Sequence, residues 1–346
     1  MSATALGPVD ATARTVPTVS AAELSVAQDA SHPAVCELRR ACTDIGFFFV
    51  EEHGVAREVI EAASAASRRF FELPEDVKLR HVGRQETNWR GYGPYGSNQN
   101  CSPNSSAPER KETFYCGVLT PGDESLRVQD VEGFTEAIAG FHAAMLRLSR
   151  VLLRGLSLSL DLPPEHFEKA AFRAPDTKVL LASYPPVQKD EVSCGAHTDC
   201  GFLTLVCQEG APGLHARRRD GTWLSIEGVD NAIVANLGEL AARWTNDIYR
   251  STPHRVLNCS EGVRRSLIFF NNLDEDAEVS CLPSCVSPEQ PAKYKATSCG
   301  KYVAARMRHL REGFVGDFDF ELEWTAEPGA EERVLPAAPP LAVEPA

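Results

Sequence analysis

The strongest periodic signal in the chain is an apolar stripe, Phe134, Ile138, Phe141, Met145, Leu148, Leu152 and Leu156, with steps of three and four residues. That spacing lines one face of an α-helix, and Asp161-Leu-Pro-Pro164 stops it. Shorter helices are expected after Ser20, which can cap Ala21-Ala-Glu23, from about Ala34 to Asp44, and from about Ala56 to Phe71 ahead of Pro74. Val16 to Ser20 and Gly46 to Val50 read as strands. From Lys178 onward the pattern changes to short strand-like runs: Val179 to Ser183, Phe202 to Gln208, Thr222 to Ser225, Ala232 to Asn236, His254 to Asn258 and Ser266 to Phe270. Turn punctuation such as Arg219-Asp-Gly221 and Glu261-Gly262 separates them. The predicted fold is mainly β with flanking helices: a double-stranded β-helix, or jelly roll, with an α-helical N-terminal region. A last helix is expected near Lys301 to Arg311. Gln85 to Pro108, rich in Asn, Ser, Gly and Pro, reads as a long loop of the kind that serves as a lid or binding segment.

With 346 residues, 43% of them hydrophobic, a sizeable core is available. Lys and Arg number 35 against 48 Asp and Glu, a net charge of −13, which argues against a nucleic-acid surface because phosphate binding relies on clustered basic residues. Met1 to Val19 lacks the basic start and continuous apolar segment of a signal peptide, and no run is long enough for a membrane span. A cytoplasmic protein is expected, without nucleic-acid or membrane partners, and as a monomer. The 11 cysteines include no CxxC pair, so reduced thiols are favoured over a zinc site. Gly91-Tyr-Gly93 lacks the third glycine of a dinucleotide site, and no Gly-x-Ser-x-Gly elbow supports acyl transfer.

The chemistry concentrates in Gly195-Ala-His-Thr-Asp-Cys-Gly201. On an extended strand His197 and Asp199 point to the same side. A second imidazole, from His254, closes a three-ligand face if its strand pairs nearby. Two histidines and a carboxylate on one face of an octahedron leave open positions for substrates, the arrangement of non-haem Fe(II) oxygenases. Farther on, Arg264, Ser266, Ile268 and Phe270 share one face of a strand. The arginine fork and the serine hydroxyl can clamp a carboxylate there.

These residues carry a family resemblance. His197-x-Asp199, the later His254 and Arg264-x-Ser266 resemble the isopenicillin N synthase-like branch of the Fe(II)/2-oxoglutarate-dependent dioxygenases. Asn236-Leu-Gly-Glu239, Arg243-Trp-Thr-Asn246 and Tyr249 to Val256 look like that family's approach to its second histidine. Gly46-Phe-Phe-Phe49, His53-Gly54, Phe70 to Pro74, Arg90-Gly-Tyr92 and Lys111-Glu-Thr-Phe114 look like its N-terminal region, in family order. The chain departs from the pattern at Ala182-Ser-Tyr-Pro185, where relatives often have Asn-Tyr-Tyr-Pro, and at Cys200, where many carry an aromatic residue.

The resemblance implies Fe(II) held by His197, Asp199 and His254, and 2-oxoglutarate gripped by Arg264, Ser266 and Tyr184. With O2 as cosubstrate, a C–H bond of a small organic molecule is oxidised, most simply hydroxylated, with release of succinate and CO2. A place in secondary metabolism fits such an enzyme. Arg90, Tyr92, Tyr95 and Phe114, with Ile268 and Phe270 from the barrel side, are the candidate substrate residues. Asn236, Arg243 and Asn246 are read as scaffolding. Two alternatives stay open: an isopenicillin N synthase-type oxidase or cyclase that does not use 2-oxoglutarate, and a non-catalytic ligand-binding member of the fold. The implied organisation is a disordered N-terminus (1–14), an N-terminal dioxygenase region (15–172), the jelly-roll core (173–312) and a C-terminal extension (313–346).

Overall fold

The computed structural model describes residues 9–10, 16–84, 90–96, 109–117, 128–186, 193–258 and 261–312. The C-terminal extension, most of the 85–108 loop, Cys101 and Cys259, and all of the N-terminus expected to be disordered (1–14) except residues 9–10 lie outside them; those two are ordered as a short strand whose backbone pairs in parallel with Trp223 and Leu224.

In chain order the elements are β1 (Val9–Asp10), β2 (Thr18–Ser20), α1 (Ala21–Val26), α2 (Pro33–Asp44), β3 (Phe47–Glu51), α3 (Arg57–Phe71), α4 (Glu75–Leu79), β4 (Gly91–Gly93), β5 (Glu112–Gly117), α5 (Phe134–Leu158), α6 (His166–Ala171) and β6 (Thr177–Tyr184). There follow β7 (Cys194–His197), β8 (Leu203–Gly210), β9 (Leu214–Arg217), β10 (Trp223–Ile226), β11 (Ile233–Leu237), α7 (Glu239–Trp244), β12 (His254–Val256), β13 (Arg264–Asn271), β14 (Glu278–Val279), β15 (Thr297–Ser298) and α8 (Cys299–Glu312). Ser20 caps α1 as its residue type suggests, its Oγ accepting from Glu23 N at 3.1 Å. Within the segment read as a loop, β4 forms and pairs with β5.

Two sheets make the jelly roll. Among the described residues the major sheet has eight strands in the order β2-β3-β11-β8-β13-β6-β5-β4, and the minor sheet five, β1-β10-β9-β12-β7. Alternation along the major strands divides the apolar residues between two cores. One face, with Phe48, Val179, Leu181, Leu205, Ala235, Leu267 and Phe269, packs with the stripe of α5. The other, with Phe47, Phe49, Ala182, Tyr184, Val206 and Val234, meets Leu214, Ala216, Leu224 and Ile226 of the minor sheet inside the barrel. The helix α5 runs 25 residues, about 37 Å at about 1.5 Å per residue. Gly155 lets α1 and α2 approach it, since a Cβ there would sit 2.9 Å from Leu38 Cδ2 and 3.0 Å from Leu24 Cδ1.

Strand register builds layers across the barrel interior. Tyr184, Arg264 and Gly210 form the deepest row, followed by Ala182, Ser266 and Gln208, then by Leu180, Ile268, Val206 and Val234. The row at the open end is Lys178, Phe270, Thr204 and Asn236.

Candidate active site

His254 on β12 lies directly across from His197 on β7. Asp199 is not on the strand, as the alternation argument supposed. β7 ends at His197, and Asp199 sits in the loop that follows. Tertiary contacts hold that loop. Backbone N–H groups at the start of α7 reach it: Glu239 N donates to Asp199 O at 2.7 Å and Leu240 N to Gly201 O at 3.0 Å. Gly238 is needed at this crossing because a Cβ would stand 2.2 Å from Gly201 O and 2.8 Å from Asp199 O.

The three side chains converge, with their ligand atoms within 4.8 Å of one another. His197 Nε2 is 3.9 Å and His254 Nε2 3.8 Å from the same oxygen, Asp199 Oδ1. The outer nitrogens face carbonyls, His197 Nδ1 to Gly195 O at 2.9 Å and His254 Nδ1 to Thr252 O at 3.1 Å. A carbonyl only accepts, so each Nδ1 carries the proton and each Nε2 turns a lone pair inward. The second carboxylate oxygen, Asp199 Oδ2, accepts from Thr204 Oγ1 and Asn236 Nδ2, both at 2.7 Å. One oxygen and two imidazole nitrogens are left facing a common point, a donor set suited to Fe(II).

Electrostatics agree with that reading. Burial pushes the Asp199 carboxyl up, but the facing His254 and His197 imidazoles and the bonds from Asn236 and Thr204 outweigh it, leaving the group below the usual carboxylate range. Burial, with His197 alongside, pushes His254 down to about 4, so its ring is neutral at pH 7 and able to ligate. Burial also pushes the Cys200 thiol up to about 12, which argues against a thiolate ligand.

Deeper in the barrel, Arg264 is 1% exposed and Ser266 2%. The guanidinium lies over the Tyr184 ring at 5.0 Å, and its Nη2 donates to Gln208 Oε1 at 2.9 Å. Among the described residues Arg264 Nε and Nη1 and Ser266 Oγ have no hydrogen-bond partner. Buried donors left unmade are costly, and an arginine fork beside a hydroxyl matches the far carboxylate of 2-oxoglutarate.

The candidate substrate residues fare differently. Ile268 and Phe270 face the barrel interior as expected from their shared face with Arg264. Tyr92 and Phe114 do not. Phe114 stands opposite Leu181 in the β5–β6 pairing and therefore faces the helices, with its ring 4.7 Å from that of Phe70. Tyr92, opposite Phe114, packs on the same side and hydrogen-bonds Glu112. The β5 residues that alternation turns inward are Thr113 and Tyr115. Tyr95 is 47% exposed and accepts from Arg110 Nη1 at 3.2 Å. Arg90 fills the space beside Gly117, whose left-handed backbone (φ 66°) carries no side chain to block it, and lies within electrostatic reach of Tyr115.

Sequence reading undervalues the supports. Asn236, read as scaffolding, donates directly to Asp199, and nothing in the sequence singles out Thr204. Glu109 Oε1 takes the Gly195 N–H at 3.0 Å along β7, and its other oxygen pairs with Lys111 at 2.7 Å. The order Asn236-Leu-Gly-Glu239 is the one sequence signal that points to this scaffold.

A jelly roll whose barrel holds a two-histidine, one-carboxylate cluster above a buried arginine is the arrangement of the non-haem iron oxygenase class. The model for the 2OG-Fe(II) oxygenase superfamily matches residues 175–273, and that for the N-terminal region named for non-haem dioxygenase in morphine synthesis matches residues 16–135. The chain belongs to the Fe(II)/2-oxoglutarate-dependent dioxygenase family and is an enzyme of that type, using Fe(II), 2-oxoglutarate and O2. It is 32% identical over 270 residues to homoarginine-6-hydroxylase 2-ODD-C23.1 of Arabidopsis thaliana, covering 72% of this chain and 80% of that one. It is likewise 32% identical over 281 residues to the 2-oxoglutarate-Fe(II) type oxidoreductase hxnY of Emericella nidulans, covering 75% and 80%. Its fold is similar to that of the dioxygenase for auxin oxidation in rice, with a TM-score of 0.72 at 22% identity over 86% of this chain and 96% of that one. Among the described residues no helix is long and apolar enough to cross a membrane.

Proposed function

We propose that His197, Asp199 and His254 hold the Fe(II), that Arg264, Ser266 and Tyr184 take the far carboxylate of 2-oxoglutarate, and that the site hydroxylates a small organic molecule entering at the Phe270 end of the barrel. The observation that carries this reading is the single oxygen Asp199 Oδ1 facing both inward imidazole nitrogens. Fe(II), with 2-oxoglutarate and O2, supplies the chemistry: oxidative decarboxylation to succinate and CO2 coupled to insertion of an oxygen atom into a substrate C–H bond.

The chain's residues supply position. Thr204 and Asn236 restrict Asp199 to one free oxygen, and Gly195 O and Thr252 O fix the two rings. Arg264 balances the charge of the far carboxylate, while Gln208 holds one edge of its fork. Leu180, Val206, Val234 and Ile268 keep the space between the two ends apolar, which strengthens charged contacts by excluding water. Arg90, just before β4, and Tyr115 on β5 stand at the rim as candidate substrate contacts. The free cysteines among the described residues favour a reducing, cytosolic setting.

The test is anaerobic addition of Fe(II) and 2-oxoglutarate to the wild type and to Asp199→Ala, followed by visible spectroscopy. The wild type should develop a metal-to-ligand charge-transfer band that the variant lacks. An equal band in both would remove the proposed ligand set. Substrate-stimulated succinate release separates the 2-oxoglutarate-dependent reading from an oxidase that draws all its electrons from substrate.

A further inference from the structure

The open end of the barrel carries a charged pair that neither the metal nor the 2-oxoglutarate grip uses. Lys178 occupies the same row as Phe270, Thr204 and Asn236, and the last two both donate to Asp199. It is two strands from Thr204, about 10 Å at about 4.8 Å per strand. Its side chain is 20% exposed and paired with Asp176, 29% exposed, two residues earlier on the same side of the chain. Tyr115 and Cys200 are within electrostatic reach of the ammonium. The next row inward is apolar.

Stability gives no reason for this pair. Both side chains keep part of their contact with water, and an ion pair so placed adds little net stability over uncharged residues. Lysine has three donors and a carboxylate about four acceptor sites, so one mutual contact leaves both with capacity. The charges also constrain what fits. A simple anion that approaches Lys178 meets Asp176, and a simple cation meets the reverse. A group bearing both signs satisfies each partner.

Building on the proposed active site, we propose that Asp176 and Lys178 form a head-group clamp for a free α-amino acid, Lys178 taking the carboxylate and Asp176 the ammonium. The side chain of the substrate then runs past Phe270 toward the metal. Given the separation of two strands between Lys178 and Thr204, the carbon oxidised lies several bonds from the head group.

The experiment uses the full chain with Fe(II) and 2-oxoglutarate. The probes are the standard L-amino acids and their one-carbon-longer homologues, with pentylamine and hexanoic acid keeping only one of the two charges. Binding is read anaerobically as a shift of the charge-transfer band, and turnover as stimulated succinate release. At least one amino acid should give both responses, and the single-charge probes neither. For that amino acid Lys178→Met and Asp176→Asn should each raise KM at least tenfold, with Lys178→Arg intermediate. The band of the amino-acid-free complex reports the metal site and fold of each variant separately, so a failure there is not confused with a failure of the clamp. The proposal is overturned if no amino acid shifts the band, if the single-charge probes respond as well, or if a variant that forms the band keeps the wild-type KM.

Discussion

His254 and His197 face each other across the β12–β7 pairing with ring centroids 4.3 Å apart, so the spacing of the two imidazoles is written into backbone register. A slip of one residue would turn His254 to the outer face of the minor sheet. Replacing either ring should therefore abolish metal binding without disturbing its neighbour. His254→Ala should lose Fe(II) in equilibrium dialysis and fall to background succinate release. Full iron stoichiometry in that variant would refute its role.

Asp199 owes its orientation to residues on the major sheet. Asn236→Leu or Thr204→Val frees the second carboxylate oxygen and should weaken Fe(II) binding by about 10- to 100-fold. A metal titration with a competing chelator checks this. The effect should appear in metal affinity before it appears in the KM for 2-oxoglutarate.

Arg264→Lys keeps the charge but loses the fork. Charge-assisted hydrogen bonds are individually strong, and loss of one or two should raise the KM for 2-oxoglutarate by about 10- to 100-fold. Steady-state kinetics with saturating substrate provides the measurement. An unchanged KM would place the cosubstrate elsewhere.

Phe269 is fully buried between the major sheet and the helices, with its ring 5.5 Å from that of His142. Phe269→Ala should cost about 3–5 kcal/mol of stability through lost burial and the cavity left behind. Urea unfolding at constant pH reads the change. Because Phe269 faces away from the barrel, metal affinity at low temperature should move far less.

His142 also sets a pH trend. Its ring is within hydrogen-bonding distance of Thr177 Oγ1 at 2.7 Å, and burial lowers its pKa from 6.5. His53 and His215 are lowered by burial as well. A depressed folded pKa means that the unfolded chain takes up protons first. The stability these rings contribute is complete above about pH 6.5 and is lost as the pH falls toward their folded values. The unfolding midpoint should drop between pH 7.5 and 5.5, and less steeply in His142→Gln.

Much of this is legible in the sequence because it follows periodicity. Phe134 to Leu156 mark α5, and the alternation of Arg264, Ser266, Ile268 and Phe270 puts those side chains in the barrel. What periodicity cannot give is the register between strands distant in sequence. Phe114 reads as a rim residue from its segment alone, whereas its pairing with Leu181 turns it toward α5. Asp199 converges from a loop, and the contacts that place it, from Thr204, Asn236 and the start of α7, are tertiary. Lys178 gives no signal in the sequence because it stands at the very start of its strand run, where alternation has too few neighbours to assign a face.

The site is divided between two sheets: both histidines belong to the minor one, and the arginine and serine to the major one. Polar links between them among the described residues include the carboxylate of Asp199, held by major-sheet side chains, and Gln208 Nε2, which reaches Ile226 O at 3.3 Å. A molecule bound to the metal at one end and to Arg264 at the other becomes a further tie-rod across the sandwich. Filling the pocket should therefore stiffen the whole barrel and slow amide exchange in β8 and β12 together, although neither strand covers the ligand alone.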